Sequence, residues 1–194
     1  LYGDRRSDTM YGDSGNDTLD GGRGSDVLYG NDGNDVVSGS FGNDLLFGGL
    51  GADVLNGGRH CDTISGGHGN DTVRGGRGDD ALYGNEGNDK IFGGHGDDFI
   101  NGGFGDDTLH GGAGSDVFKF NTLGSYNIIK DFAIGEDTLE FSKLFDQVDG
   151  FIISSPESIL FSHNTQDADS IQAVVSLESV ESGTLLVIGG VDES

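Results

Sequence analysis

The chain has 194 residues, 38 of them glycine, with 34 acidic against 10 basic side chains and a formal charge of −24. That balance excludes nucleic acid and anionic membrane surfaces as direct partners, and the single cysteine, Cys61, excludes an intrachain disulfide. No apolar run is long enough to span a bilayer.

Leu1 and Tyr2 fall at positions eight and nine of a nine-residue unit, whose first full copy starts at Gly3. The unit recurs thirteen times without an insertion, to Lys119. This phase leads us to expect that the array is entered part-way and that an upstream domain of the same parent chain precedes it. The first residue of each unit is glycine, from Gly3 to Gly111, and the fourth is glycine except at Arg6 and His60. The eighth is apolar, from Met10 and Leu19 to Leu109 and Phe118. The sixth is always aspartate: Asp8, Asp17, Asp26, Asp35, Asp44, Asp53, Asp62, Asp71, Asp80, Asp89, Asp98, Asp107 and Asp116. A period this strict fixes the architecture before any other reading.

Glycine belongs where the chain takes positive φ or lets backbone approach closely. GGxGxD therefore reads as a tight turn with its carbonyls aimed at one point and a carboxylate beside them. The last three residues, such as Thr108-Leu109-His110, read as a very short strand with the middle side chain inward and its neighbours outward. So short a strand cannot bury its own face, so copies must stack. With two units per coil, each unit lies beside the one eighteen residues away. The expected fold is all-β: a parallel β-roll of two sheets back to back around the position-eight residues, with loops stacked along both edges.

One Leu, Ile, Val or Met per rung makes a thin core, and stacked carboxylates repel one another. A cation shared between loops answers both deficits. The repeated position offers oxygen ligands alone, which select a hard ion, and flexible coordination favours calcium over magnesium.

The units GGHGNDTVR, GGRGDDALY and GGFGDDTLH resemble the calcium-binding nonapeptide repeats of the RTX family of secreted bacterial proteins, over residues 3–119. The resemblance implies that each calcium sits between the loops of units n and n+2. Carbonyls at positions two and four and the aspartate come from one loop; carbonyls at positions one and three and the aspartate come from the next. Carried over, one site uses Gly67, Gly69 and Asp71 with Gly84, Glu86 and Asp89. The same carry-over names the carbonyls of Gly22, Gly24, Gly39, Gly49, Gly51, Gly76, Gly78, Gly93, Gly94, Gly96, Gly102, Gly103, Gly105 and Gly111. Seven loops on one edge and six on the other leave at most 11 enclosed sites. Eleven Ca²⁺ would bring +22 against the −24 of the chain.

Units one and seven depart from the pattern, as GDRRSDTMY and GGRHCDTIS. A residue with a Cβ resists the left-handed conformation, so weaker calcium binding is expected at His60. Drift in a redundant array explains these units as well as a hinge or a metal site does, and adjacent His60 and Cys61 have no second pair at zinc-like spacing. The other histidines, His68, His95, His110 and His163, read as solvated. Val27, Tyr29, Leu45 and Phe47 stack outside one sheet, which fits an interface or the ordinary preference of such residues for strands.

The period breaks after Lys119. Residues 1–119 form the expected roll and 120–194 a β-rich cap, with a strand at 117–120, a strand, turn and strand across 128–132 and 135–141, and strands at 159–161, 173–175 and 185–188. The stretch Asp131-Phe132 followed by Gly135-Glu136-Asp137-Thr138-Leu139-Glu140-Phe141 resembles the flank that follows many RTX arrays. A cap is needed because an open coil end exposes unpaired backbone and apolar side chains. In the family this end also carries the signal read by a type I secretion apparatus. The ending, residues 189–194, lacks the apolar stretch expected there, so further sequence is expected beyond it.

No carboxylate pair stands apart from the stacked aspartates in an apolar setting, so no catalytic group is expected. The Gly-rich loops end in aspartate and lead into no helix, unlike phosphate cradles. The resemblance implies a secreted or cell-surface bacterial protein in which this chain serves as a calcium-dependent folding and export module. It also allows a non-catalytic C-terminal module of a secreted protease, lipase or alginate-modifying enzyme that orients the catalytic domain, or an extender of an adhesin or cytolysin.

Overall fold

A computed structural model describes residues 1–121, 125, 127–133 and 135–141, and the course of four later strands at 151–155, 158–161, 173–180 and 183–190. All its regular elements are strands. In chain order they are β1 Thr9–Tyr11, β2 Thr18–Arg23, β3 Val27–Asp32, β4 Val36–Phe41, β5 Leu45–Leu50, β6 Val54–Arg59 and β7 Thr63–His68. There follow β8 Thr72–Arg77, β9 Ala81–Glu86, β10 Lys90–His95, β11 Phe99–Phe104, β12 Thr108–Ala113 and β13 Val117–Phe120. The flank adds β14 Asn127–Ile129, β15 Thr138–Phe141, β16 Phe151–Ser155, β17 Ser158–Phe161, β18 Ala173–Val180 and β19 Gly183–Gly190.

Odd-numbered strands from β1 to β15 form one parallel sheet, and even-numbered strands from β2 to β14 form the parallel part of the other. From β1 to β13 each strand pairs with the one eighteen residues away, as in Leu46↔Ile64 and Val73↔Ile91. Position eight points inward: Leu19, Leu28, Val37 and their successors to Phe118 are at most 1% exposed and pack as one core. The roll is thus an all-β parallel solenoid, as the period implies. Apart from β1, the strands of the roll are longer than three residues. From β2 to β12 they run six residues, through positions one to three of the following unit, because those residues stay in the ladder with the neighbouring coil.

Parallel stacking also continues past Lys119. β14 pairs with β12 through Leu109↔Ile129, and β15 pairs with β13 through Phe118↔Leu139. Ile129 and Phe120 are buried, and Phe132 and Leu139 pack against the end of the core. The second sheet then turns antiparallel, with β19 on β14 followed by β18, β17 and β16. The expected strands at 159–161, 173–175 and 185–188 lie within β17, β18 and β19.

Candidate metal centres

Position-six aspartates line both edges of the roll just inside the loops. Those from Asp26 to Asp116 are at most 2% exposed, while Asp8 and Asp17 are half-buried. Their backbone carbonyls take ladder bonds, as in Thr72 N–H to Asp53 O at 2.8 Å. Their side chains form a second ladder: the amide of Asp71 donates to Oδ1 of Asp89, and that of Asp53 to Oδ1 of Asp71, each at 2.8 Å. Every repeat aspartate from Asp8 to Asp98 donates in this way across eighteen residues.

The second oxygen is left over. Among the described residues, Oδ2 of all twelve aspartates from Asp17 to Asp116 is buried without a hydrogen-bond partner. A buried carboxylate oxygen with no donor is costly, and here the cost repeats on every rung. Burial pushes the carboxyls of Asp62, Asp71, Asp89 and Asp98 up to about 7, and those of Asp80, Asp107 and Asp116 up to about 6. Asp44 and Asp53 are raised for the same reason. The amide received at Oδ1 opposes the rise, and stacked carboxylates such as Asp89 beside Asp71 add to it.

The glycines show what the orphaned oxygens face. A Cβ on Gly93, at position one, would collide with Oδ2 of Asp98 and with the carbonyl of Gly111 two units on. Position one has ordinary φ; glycine is there for space. At position four, Gly69 takes φ +121°, and the carbonyl of Gly51 occupies the place of its missing Cβ. Carbonyls of positions two and four, such as Gly49 and Gly51, thus run up against the loop two units on, while the carbonyl of Gly84 reaches back toward Gly66. The position-three carbonyl of Glu86 accepts from the Gly69 amide at 2.7 Å. Each loop pair therefore brings two aspartates and several carbonyls to a narrow gap. This oxygen-only donor set, with a buried unpaired carboxylate oxygen, fits a hard divalent cation.

A model of the RTX calcium-binding nonapeptide repeat matches four times, over residues 1–28, 29–59, 62–82 and 83–118. The chain belongs to the RTX calcium-binding repeat family. No curated protein matches it in sequence. Among solved structures, an extracellular lipase from Serratia marcescens is similar at 19% identity and a TM-score of 0.39, covering 95% of this chain. A subunit from the Azotobacter vinelandii mannuronan C5-epimerase is similar at 27% identity and a TM-score of 0.27, covering 68% of this chain and 71% of its own. The RTX chain spans 38% of the length of the lipase it matches.

His60 takes φ +78°, so the left-handed conformation expected of position four is adopted despite its Cβ. Arg6 does not adopt it, and the loop of unit one is built differently. There the Asp4 amide donates to Oδ2 of Asp8 at 3.0 Å, and the amides of Arg5 and Arg6 donate to Oδ1 of Asp4. Among the described residues no group of three or more His, Cys, Asp or Glu side chains is placed to hold a metal. No helix among them is long and apolar enough to cross a membrane. Tyr11, Tyr29 and Phe47 stack outside the first sheet at 4.9 Å between successive ring centroids.

Two features escaped the sequence reading. Position two also requires positive φ, taken by Asp13, Asn31, Ser40 and Asn85 where glycine is missing; the enrichment of Asn, Asp and Ser there was the available signal. Position five carries a third ladder running opposite to the aspartates. The Asn88 amide donates to Oδ1 of Asn70, and the Asp97 amide to Oδ1 of Asp79, at 2.8 and 2.9 Å. Recurrent Asn or Asp at position five was its signal.

Proposed function

We propose that this chain is a calcium-dependent folding module, which orders when it meets extracellular calcium and supports type I export and stabilisation of a larger secreted bacterial protein. The observation that carries this reading is the row of buried, unpaired Oδ2 atoms from Asp17 to Asp116. Asp71 and Asp89 would hold one ion together with carbonyls of Gly67, Gly69, Gly84 and Glu86, and the other loop pairs would repeat this. Bound calcium would supply the positive charge that buried carboxylate pairs lack. The rest is the work of the chain: the Oδ1 ladder fixes each carboxylate, and glycine keeps the gap open.

Extracellular calcium modules bind at roughly 10⁻⁴–10⁻³ M, above cytosolic calcium, and the same range is expected here. Binding to the folded form alone then couples folding to leaving the cell. The export part of this reading follows from the family rather than from a residue of the roll. Within it, residues 1–119 act as the folding module, and 120–194 as its cap with part of the secretion signal. The test is far-UV circular dichroism during a calcium titration. A cooperative gain of β-signal is expected, and full β-signal in excess chelator would overturn the reading.

A further inference from the structure

We infer that the calcium row is shifted one step toward the C-terminus: its last site lies beyond the repeats, between the loop of unit thirteen and Asp137, and unit one holds none. This rests on the proposed calcium reading and says where that reading begins and stops along the chain.

Interior loops share three marks. The aspartate amide donates to Oδ1 of the aspartate in the next loop, Oδ2 is buried without a partner, and positions two and four take positive φ. Unit thirteen has all three. The Asp116 amide donates to Oδ1 of Asp137 at 3.0 Å, across 21 residues where the repeat uses 18. Oδ2 of Asp116 is buried and unpaired in a residue 1% exposed, and Gly112 and Gly114 have φ of +104° and +141°. This loop therefore presents to the flank the donor face that interior loops present to each other.

Asp137 also ends the row. In the repeats Oδ2 faces onward, toward the next loop; in Asp137 it accepts the Ala133 amide of its own turn at 2.7 Å. One oxygen closes the gap to Asp116, and the other is spent locally. On the opposite edge the Asp107 amide meets Oδ1 of Asn127 at 2.8 Å, so a neutral amide stands where the second carboxylate would be. At the start of the chain the marks fail: Oδ2 of Asp8 is taken by the Asp4 amide, and Arg6 lacks positive φ. The ligand class for the Asp116–Asp137 gap is a hard divalent cation, calcium, as in the interior.

Native mass spectrometry of the full chain in saturating calcium tests this by counting ions on the folded charge states. Asp137→Asn should carry one ion fewer than the unsubstituted chain, and Asp8→Asn the same number. An unchanged count in Asp137→Asn, or a lost ion in Asp8→Asn, would overturn the shift while leaving the calcium reading intact. An unsubstituted chain with no bound calcium would overturn both. Terbium-soaked crystals of the unsubstituted chain give a mutation-free check. An anomalous peak between Asp116 and Asp137 with none beside Asp8 is expected, and the reverse pattern contradicts the proposal.

Discussion

At the Leu1 end of the roll, Leu1, Tyr2 and Tyr11 are exposed, Asp8 is half-buried, and Met10 only packs against the edge of the core. At the other end Phe118, Phe120 and Ile129 are buried, with Phe118 and Phe132 in ring contact at 6.1 Å between centroids. Asp131 there receives the Gly111 and Gly112 amides, each at 3.0 Å, and Lys119 pairs with Glu140 at 2.8 Å. The end after Lys119 is closed by side chains, carboxylates and the antiparallel strands that continue the second sheet. In a quasi-one-dimensional array each rung gains from its neighbours alone. For residues 1–194 taken alone, we therefore expect order to begin at the closed end.

The largest expected effect comes from removing one end or the other. A chain ending at Lys119 keeps all thirteen repeat aspartates but loses Ile129, Phe132, Asp137 and Leu139. We expect it to lose its cooperative calcium-induced transition, as read by circular dichroism. A chain lacking residues 1–29 should keep a sharp transition of smaller amplitude. Equal behaviour of the two truncations would show that the repeats nucleate themselves.

Next in size is the pH response of the metal-free roll. Folding raises the carboxyls of Asp62, Asp71, Asp89 and Asp98 from an ordinary 3.8 to about 7, so the folded state binds more protons. Their contribution to stability is full below about 4 and is lost as pH rises through about 7. In excess chelator, β-signal should thus be greater at mild acid pH than above neutrality. Calcium should reverse the order, since its ligands must be deprotonated. The change belongs to the buried interior, and a truncation confined to unit one should leave it in place. No pH response in chelator would contradict the burial argument.

The smallest effect sits mid-roll. His60→Gly removes a left-handed residue that carries a Cβ, worth about 1 kcal/mol. It should raise the melting temperature in calcium and tighten the sites that use Asp62. An unchanged melting temperature would mean that the loop tolerates His60 at no cost.

Much of this was legible in the sequence because its physics is periodic. A nine-residue spacing of Gly, Asp and an apolar residue determines which side chain points inward, and hence the parallel stacking of Leu46 on Ile64. The aspartate row follows from the same spacing. What the period does not encode is how the loops are satisfied. That Oδ1 is spent on an amide while Oδ2 is left over depends on backbone directions, as does the role of position-two residues such as Asn85. The closed end was only half legible. Asp137 stands two residues before Leu139, as Asp116 stands before Phe118, but the step from one to the next grows to 21 residues and drops out of a strict repeat. Of the apolar residues there, the side chain of Phe141 and all of Leu144 lie outside the described residues.

Hydrogen exchange at the aspartate amides tests the central claim most directly. Each of these amides is bonded to the side-chain oxygen next along the edge, a carboxylate except at Asp107, which meets Asn127, so its protection reports whether the loops are locked together. With calcium, slow exchange is expected from Asp26 to Asp116, slowest near Asp116 and fading toward Asp8. In excess chelator at neutral pH, all of them should exchange at the rate of an unfolded chain. Persistent protection of Asp71 and Asp89 without calcium would contradict the account.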